Sequence, residues 1–133
     1  LAVIRRMVLD LNMNVEIVGC PIVRESDGLA KSSRNTYLSP AERKAALVLS
    51  KSIFAGKQLA EAGETDAAKL VQAMTEIIEA EPLAKIDYVK VVDLMTMQQI
   101  SKLDRPFLAA IAVYIGKTRL IDNFMMQAGG TAE

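Results

Sequence analysis

Apolar residues recur at two spacings along this chain, and the change of spacing divides it into a largely helical first part and a β-rich second part. Leu1, Ile4, Val8 and Leu11 share one helical stripe, with Arg5, Arg6 and Asp10 mostly off it, so residues 1–11 read as an amphipathic helix. Asn12 and Asn14 are suitable stop residues, because Asn tolerates the left-handed conformation. Val15–Val18 then reads as a short strand, interrupted by Gly19 and resumed over Cys20–Val23 around Pro21; the proline argues for a sheet edge or a strand exit. A helix followed by a strand is the last piece of a βα repeat, which normally has more parallel sheet beside it. Residues 1–23 are therefore expected to be the remnant of a larger domain.

A second helical block opens with the clearest boundary in the sequence. Ser39 stands as an N-cap, Pro40 at the first helical position and Glu42 three residues after the cap, the pattern of a capping box. The helix is expected to run to about Ala62 with Ala46, Leu49, Ile53, Phe54 and Leu59 inward, and to end at Gly63. Thr65 is expected to cap the next helix, whose stripe is Leu70, Met74, Ile77 and Ile78 and which Glu81-Pro82 stops. From Ile86 the period shortens. Ile86, Tyr88 and Val89–Val92 read as a strand, and Leu94–Ile100 as a loop or single turn. A second strand spans Phe107–Ile115 and a third Thr118–Phe124, joined tightly through Gly116-Lys117. The tail, 129–133, is expected to be disordered. The class is α+β.

Composition narrows the functions. A 51% hydrophobic chain of 133 residues can bury a real core. Sixteen Lys+Arg balance sixteen Asp+Glu, which argues against a nucleic-acid partner, whose binding depends on neutralising many phosphates. The longest apolar run, Phe107–Ile115, is far short of the ~20 residues of a membrane span. No basic–apolar–small signal layout opens the chain. There is no histidine and one cysteine, so no zinc cluster is expected. Cys20, in an apolar run, is expected to be a buried thiol in a reducing cytosol. Met95 and Met97 are expected to fill core.

The chemistry concentrates between Asp27 and Leu38, in the string Asp-Gly-Leu-Ala-Lys-Ser-Ser-Arg-Asn-Thr-Tyr-Leu. A phosphate has only acceptors, so it is met by hydroxyls, backbone amides and a bidentate guanidinium, which Ser32, Ser33 and Arg34 supply. Taken alone the tetrapeptide Ser-Ser-Arg-Asn is also an ordinary solvated turn.

This loop, its flank Val-Glu-Ile-Val-Gly-Cys-Pro-Ile-Val-Arg at 15–24, the continuation Tyr-Leu-Ser-Pro-Ala-Glu-Arg, the opening Leu-Ala-Val-Ile-Arg-Arg-Met-Val and the stretch Arg119-Leu-Ile-Asp-Asn123 together resemble the pantothenate synthetase (pantoate–β-alanine ligase) family of the nucleotidyltransferase superfamily. Members of that family are longer and carry a His-x-Gly-His signature, a Gly-x-Lys-Asp stretch and pantoate-binding glutamines, which this histidine-free sequence lacks. The resemblance thus implies the C-terminal portion of such an enzyme: 1–23 as the last helix and strand of a truncated Rossmann-like nucleotide-binding domain, 24–38 as hinge and phosphate-binding loop, and 39–133 as a small C-terminal lid of helices on a three-stranded antiparallel sheet. It implies an ATP- and Mg²⁺-dependent ligase that joins pantoate to β-alanine through a pantoyl-adenylate, releasing pyrophosphate and AMP. The whole enzyme would be cytoplasmic and homodimeric, with no nucleic acid or membrane partner, and this portion inactive alone.

By the same resemblance Arg34, Ser32 and Ser33 are the candidate catalytic residues, and Val23 and Lys31 join them as ATP-binding residues. Each has a plainer reading. Arg34 would pair with Glu25 or Asp27 at the surface, Ser32 and Ser33 would bond their own backbone, Lys31 would be solvated and Val23 would pack. Arg119, Asp122 and Asn123 are expected to brace the loop or a domain interface. Two other functions remain open: a different nucleotidyltransferase-superfamily enzyme sharing the loop logic, and a non-enzymatic α+β module for self-association.

Overall fold

The computed structural model describes residues 1–127; the expectation for 129–133 falls outside them. Helix α1 spans Ala2–Asp10, α2 Pro40–Ala45, α3 Leu47–Glu61 and α4 Ala67–Glu79. Strands β1 (Ala84–Asp93), β2 (Phe107–Ile115) and β3 (Thr118–Met126) form an antiparallel sheet in the order β1-β2-β3. The α+β class holds.

β2 is the central strand. Its odd-numbered residues, Phe107 to Ile115, are all buried on the face that α3 and α4 cover. Leu49 and Ile53 of α3, Leu70, Met74 and Ile78 of α4, and Leu120, Phe124 and Met126 of β3 complete one core. α3 and α4 approach closely at Gly56, where a Cβ would stand 2.7 Å from the Met74 sulfur. The β2–β3 hairpin turns at Gly116, whose φ of +59° is a left-handed value that glycine adopts without strain.

Several local expectations give way to tertiary context. The long helix is broken at Ala46 into α2 and α3. Ser39 caps α2, its hydroxyl accepting the Glu42 N–H at 3.2 Å. The Glu42 carboxylate, however, lies over the hairpin turn, where a Cβ on Gly116 would meet it at 2.9 Å. Asp66, not Thr65, caps α4, because its carboxylate accepts the Ala68 N–H at 2.9 Å. Phe54 is not inward but 45% exposed, and Met95 and Met97 are exposed rather than core. In β1 a register shift between Ile86 and Tyr88 reverses the alternation, so Ile86, Val89 and Val91 face the core while Tyr88 turns to the other side.

The leading segment differs most from expectation. α1 forms and stops at Asn12, whose φ is +48°, but none of its residues is buried. Residues 15–23 form no strand: they run without a ladder partner among the described residues, with Val15, Val18, Ile22 and Val23 exposed. A β-strand is made by its neighbour, and the pairing nearest to this segment is an isolated bridge between Arg24 and Ala30. Cys20 is exposed, not buried.

Candidate functional site

The loop after residue 23 is built as a tight base and a short tip. At the base, Glu25 N–H donates to the Leu29 carbonyl (2.8 Å), Gly28 N–H to the Glu25 carbonyl (2.9 Å) and Lys31 N–H to the Val23 carbonyl (2.9 Å). Gly28 has φ +98°, so the reversal is open to glycine and strained for other residues. Leu29, 2% exposed, plugs the base into the core. Asp27 accepts from Arg43 of α2 at 3.1 Å, and that guanidinium holds its carboxyl below the ordinary carboxylate value.

Arg24 fixes the base to β3. Its two terminal nitrogens donate to the two carboxylate oxygens of Asp122 at 2.7 and 2.9 Å, and one also donates to the Gly28 carbonyl at 3.1 Å. The guanidinium stacks on the Phe54 ring, 5.0 Å from its centroid, which explains why Phe54 is not in the core. Asp122 is 2% exposed and sits between Leu120 and Phe124 on the core face of β3.

The tip is a 3-10 turn over Ser33–Tyr37. Ser32 caps it: its hydroxyl oxygen accepts the Arg34 N–H at 3.2 Å, leaving its O–H free to donate. Asn35 Nδ2 donates to the Ala30 carbonyl at 3.1 Å and ties tip to base, while its buried Oδ1 meets no donor among the described residues. The tip packs against the open edge of β3 and encloses with it a cavity of about 260 Å³. Lys31, Ser32, Arg34 and Asn35 line one side, Arg119, Asp122 and Asn123 the other.

The expected residues therefore separate. Lys31, Ser32 and Arg34 come together at the cavity. Arg34 is exposed and makes no ion pair among the described residues; its expected surface partner Asp27 is taken by Arg43. Ser33 is exposed outside the cavity lining, its carbonyl accepting the Thr36 hydroxyl at 2.8 Å. Val23 neither packs nor lines the cavity; its side chain is 66% exposed. Arg119 is held by Asp87 at 2.9 Å. Arg24 was not among the expected site residues. The signal for it lay in β3, where an acid at Asp122 falls in register with apolar Leu120, Phe124 and Met126 and so calls for a buried cation.

The family model for pantoate–β-alanine ligase matches residues 1–125. The chain belongs to the pantoate–β-alanine ligase family. A pantothenate synthetase from Ruminiclostridium cellulolyticum is 64% identical over 124 residues, 93% of this chain and 44% of that protein. One from Enterococcus faecalis is 54% identical over 127 residues, 96% of this chain and 45% of that protein. The chain thus spans less than half the length of these curated relatives. The crystal structure of pantothenate synthetase from Thermus thermophilus superposes with a TM-score of 0.81 at 42% identity, covering 92% of this chain and 44% of that one. Pantoate–β-alanine ligase from Francisella tularensis, described as complexed with β-γ ATP and β-alanine, superposes at 0.53 with 26% identity, covering 96% of this chain and 40% of that one.

Proposed function

We propose that the complete enzyme carrying this chain makes pantothenate from pantoate and β-alanine with consumption of ATP, and that this chain contributes the lid that grips the triphosphate. The observation that carries this reading is the cavity at the β3 edge, where Lys31, Ser32 and Arg34 converge, the last without an ion pair among the described residues. At about 260 Å³ it is below the ~300 Å³ at which whole-ligand pockets begin, so it suits a phosphate tail rather than an entire nucleotide. The Francisella relative's complex with an ATP species and β-alanine supports the substrate assignment.

In this reading the pantoate carboxylate attacks the α-phosphorus of ATP, pyrophosphate leaves, and the β-alanine amine then displaces AMP from the acyl carbon. Charge spreads onto the departing phosphates in the first step. Arg34 meets it with a fork worth about 1.5–3 kcal/mol per charge-assisted contact, and Ser32 with its free O–H. No histidine is available in this sequence to activate either serine, so neither is a nucleophile. Mg²⁺ enters with the ATP: the acid lining the cavity, Asp122, has both oxygens committed to Arg24, so the described residues offer the ion no free carboxylate there.

Residues 24–38 serve as the phosphate loop and 39 onward as the lid body. A labile mixed anhydride must be kept from water, which closure of such a lid achieves. The remaining part of the enzyme supplies pantoate and the adenine and ribose contacts, so this chain alone binds ATP weakly. The exposed stripe of α1 fits an element that docks onto that remaining part. The reading extends to a cytoplasmic homodimer; no helix among the described residues is long and apolar enough to cross a membrane. Pyrophosphate release by the complete ligase tests it. Arg34→Ala lowers the rate at least about tenfold, equivalent to ~1.4 kcal/mol of barrier. An unchanged rate refutes the role.

A further inference from the structure

One heavily committed pair of polar groups has no role in the proposed reaction. Arg24 and Asp122 form a fork-to-fork pair in which both carboxylate oxygens are taken, at 2.7 and 2.9 Å. Asp122 is buried on a strand face that is otherwise apolar, and Arg24 is backed by the Phe54 ring. Burying such a pair gains little stability over apolar side chains of the same volume, because desolvation offsets the attraction. What it supplies is geometry, since a planar fork bound through both terminal nitrogens to both carboxylate oxygens is restricted in orientation. That orientation is passed on. Arg24 donates to the Gly28 carbonyl and bridges Ala30, and the Ala30 carbonyl in turn receives Asn35 of the tip. Asp122 also lies in the wall of the cavity that Ser32 and Arg34 face.

We propose that Arg24 and Asp122 are positioning residues for the triphosphate, which set the height and direction from which Ser32 and Arg34 meet it without touching it themselves. This rests on the reading of the loop as the ATP-phosphate site. The pair holds the loop base to β3, so the base and the sheet behave as one body and the tip is presented in a single register. Misplacement by about an ångström at such a site costs up to ~100-fold in rate.

Steady-state kinetics of the complete ligase, with Arg24→Lys, Asp122→Asn, their double variant and Arg34→Ala, test this. Arg24→Lys keeps the charge and removes the fork; Asp122→Asn keeps the shape and removes the charge. Each single variant is expected to raise KM for ATP about tenfold and leave KM for β-alanine within about twofold, and the double variant to be no worse than the poorer single, as for one unit. A pair that only stabilised the fold would lower Tm and leave KM for ATP of the folded enzyme within about twofold, and that result overturns the proposal. If Asp122→Asn does not fold, Arg24→Lys carries the same readout. Should Arg34→Ala weaken ATP use while the pair variants do not, positioning alone is wrong. Should Arg34→Ala also leave ATP kinetics unchanged, the phosphate reading falls with it.

Discussion

Ten residues apart on one loop, Arg24 and Arg34 occupy opposite situations. Arg24 is enclosed by a carboxylate, a backbone carbonyl and an aromatic ring; Arg34 stands exposed with no ion-pair partner among the described residues. A cation that holds structure is satisfied by the protein itself. A cation kept for a ligand is left wanting an anion, at the cost of a solvated and mobile side chain. The guanidinium at the base of the loop is thus paired and that at the tip unpaired among the described residues, although both belong to the same residue type.

Removing the guanidiniums one at a time gives the largest separation. Arg24→Ala leaves Asp122 as an uncompensated buried charge and is expected to cost about 3–5 kcal/mol in denaturant unfolding. Arg34→Ala, a surface change, should stay within about 0.5 kcal/mol. Equal losses would erase the distinction between base and tip. Next in size, Ser39→Ala removes the cap of α2, beyond the tip, and should cost about 1 kcal/mol in the same measurement while sparing pyrophosphate release. Ser32→Ala sharpens the comparison from the other side. It removes a cap from an exposed turn, for about 0.5 kcal/mol by thermal melt, yet should slow pyrophosphate release several-fold.

The smallest effect is a pH dependence at the base. Arg43 holds the Asp27 carboxyl below its ordinary value of 3.8, so the folded state binds this proton less readily than the unfolded one. The contact therefore contributes above that value and is lost as pH falls below it. Arg43→Ala should lower Tm slightly at neutral pH and by less as the pH falls below 3.8. An equal shift across that range would show that Arg43 acts through packing alone.

Features written in contiguous residues were legible from the sequence. β2 has the bounds its apolar run indicated, the hairpin turns at Gly116, and Ser39 caps the helix that follows the loop. The cluster at 31–34 stood out in the sequence as a group of donors, and three of its members line the cavity. What escaped depends on distant partners. Residues 15–23 carry strand-forming side chains but no neighbour to pair with among the described residues, and α1 has an apolar stripe, yet no residue of the helix is buried. The break at Ala46 has no glycine or proline to announce it. The phase reversal at Ile86/Tyr88 serves Tyr88, which sits beneath Lys90 and Arg119 on the face away from the helices. Arg24 read only as the first residue of the hinge and loop, because its partner lies 98 residues away.

Leu29 has a mechanical consequence. Sunk into the core on one side of the tip, with the capped start of α2 on the other, it puts Arg34 on two leashes of five residues each, between anchors at 29 and 39. Even drawn straight, each spans no more than about 18 Å, and the 3-10 turn shortens both. A guanidinium tethered so briefly has little reach of its own. In the proposed lid reading, the three-stranded body is therefore the arm that carries it to the triphosphate.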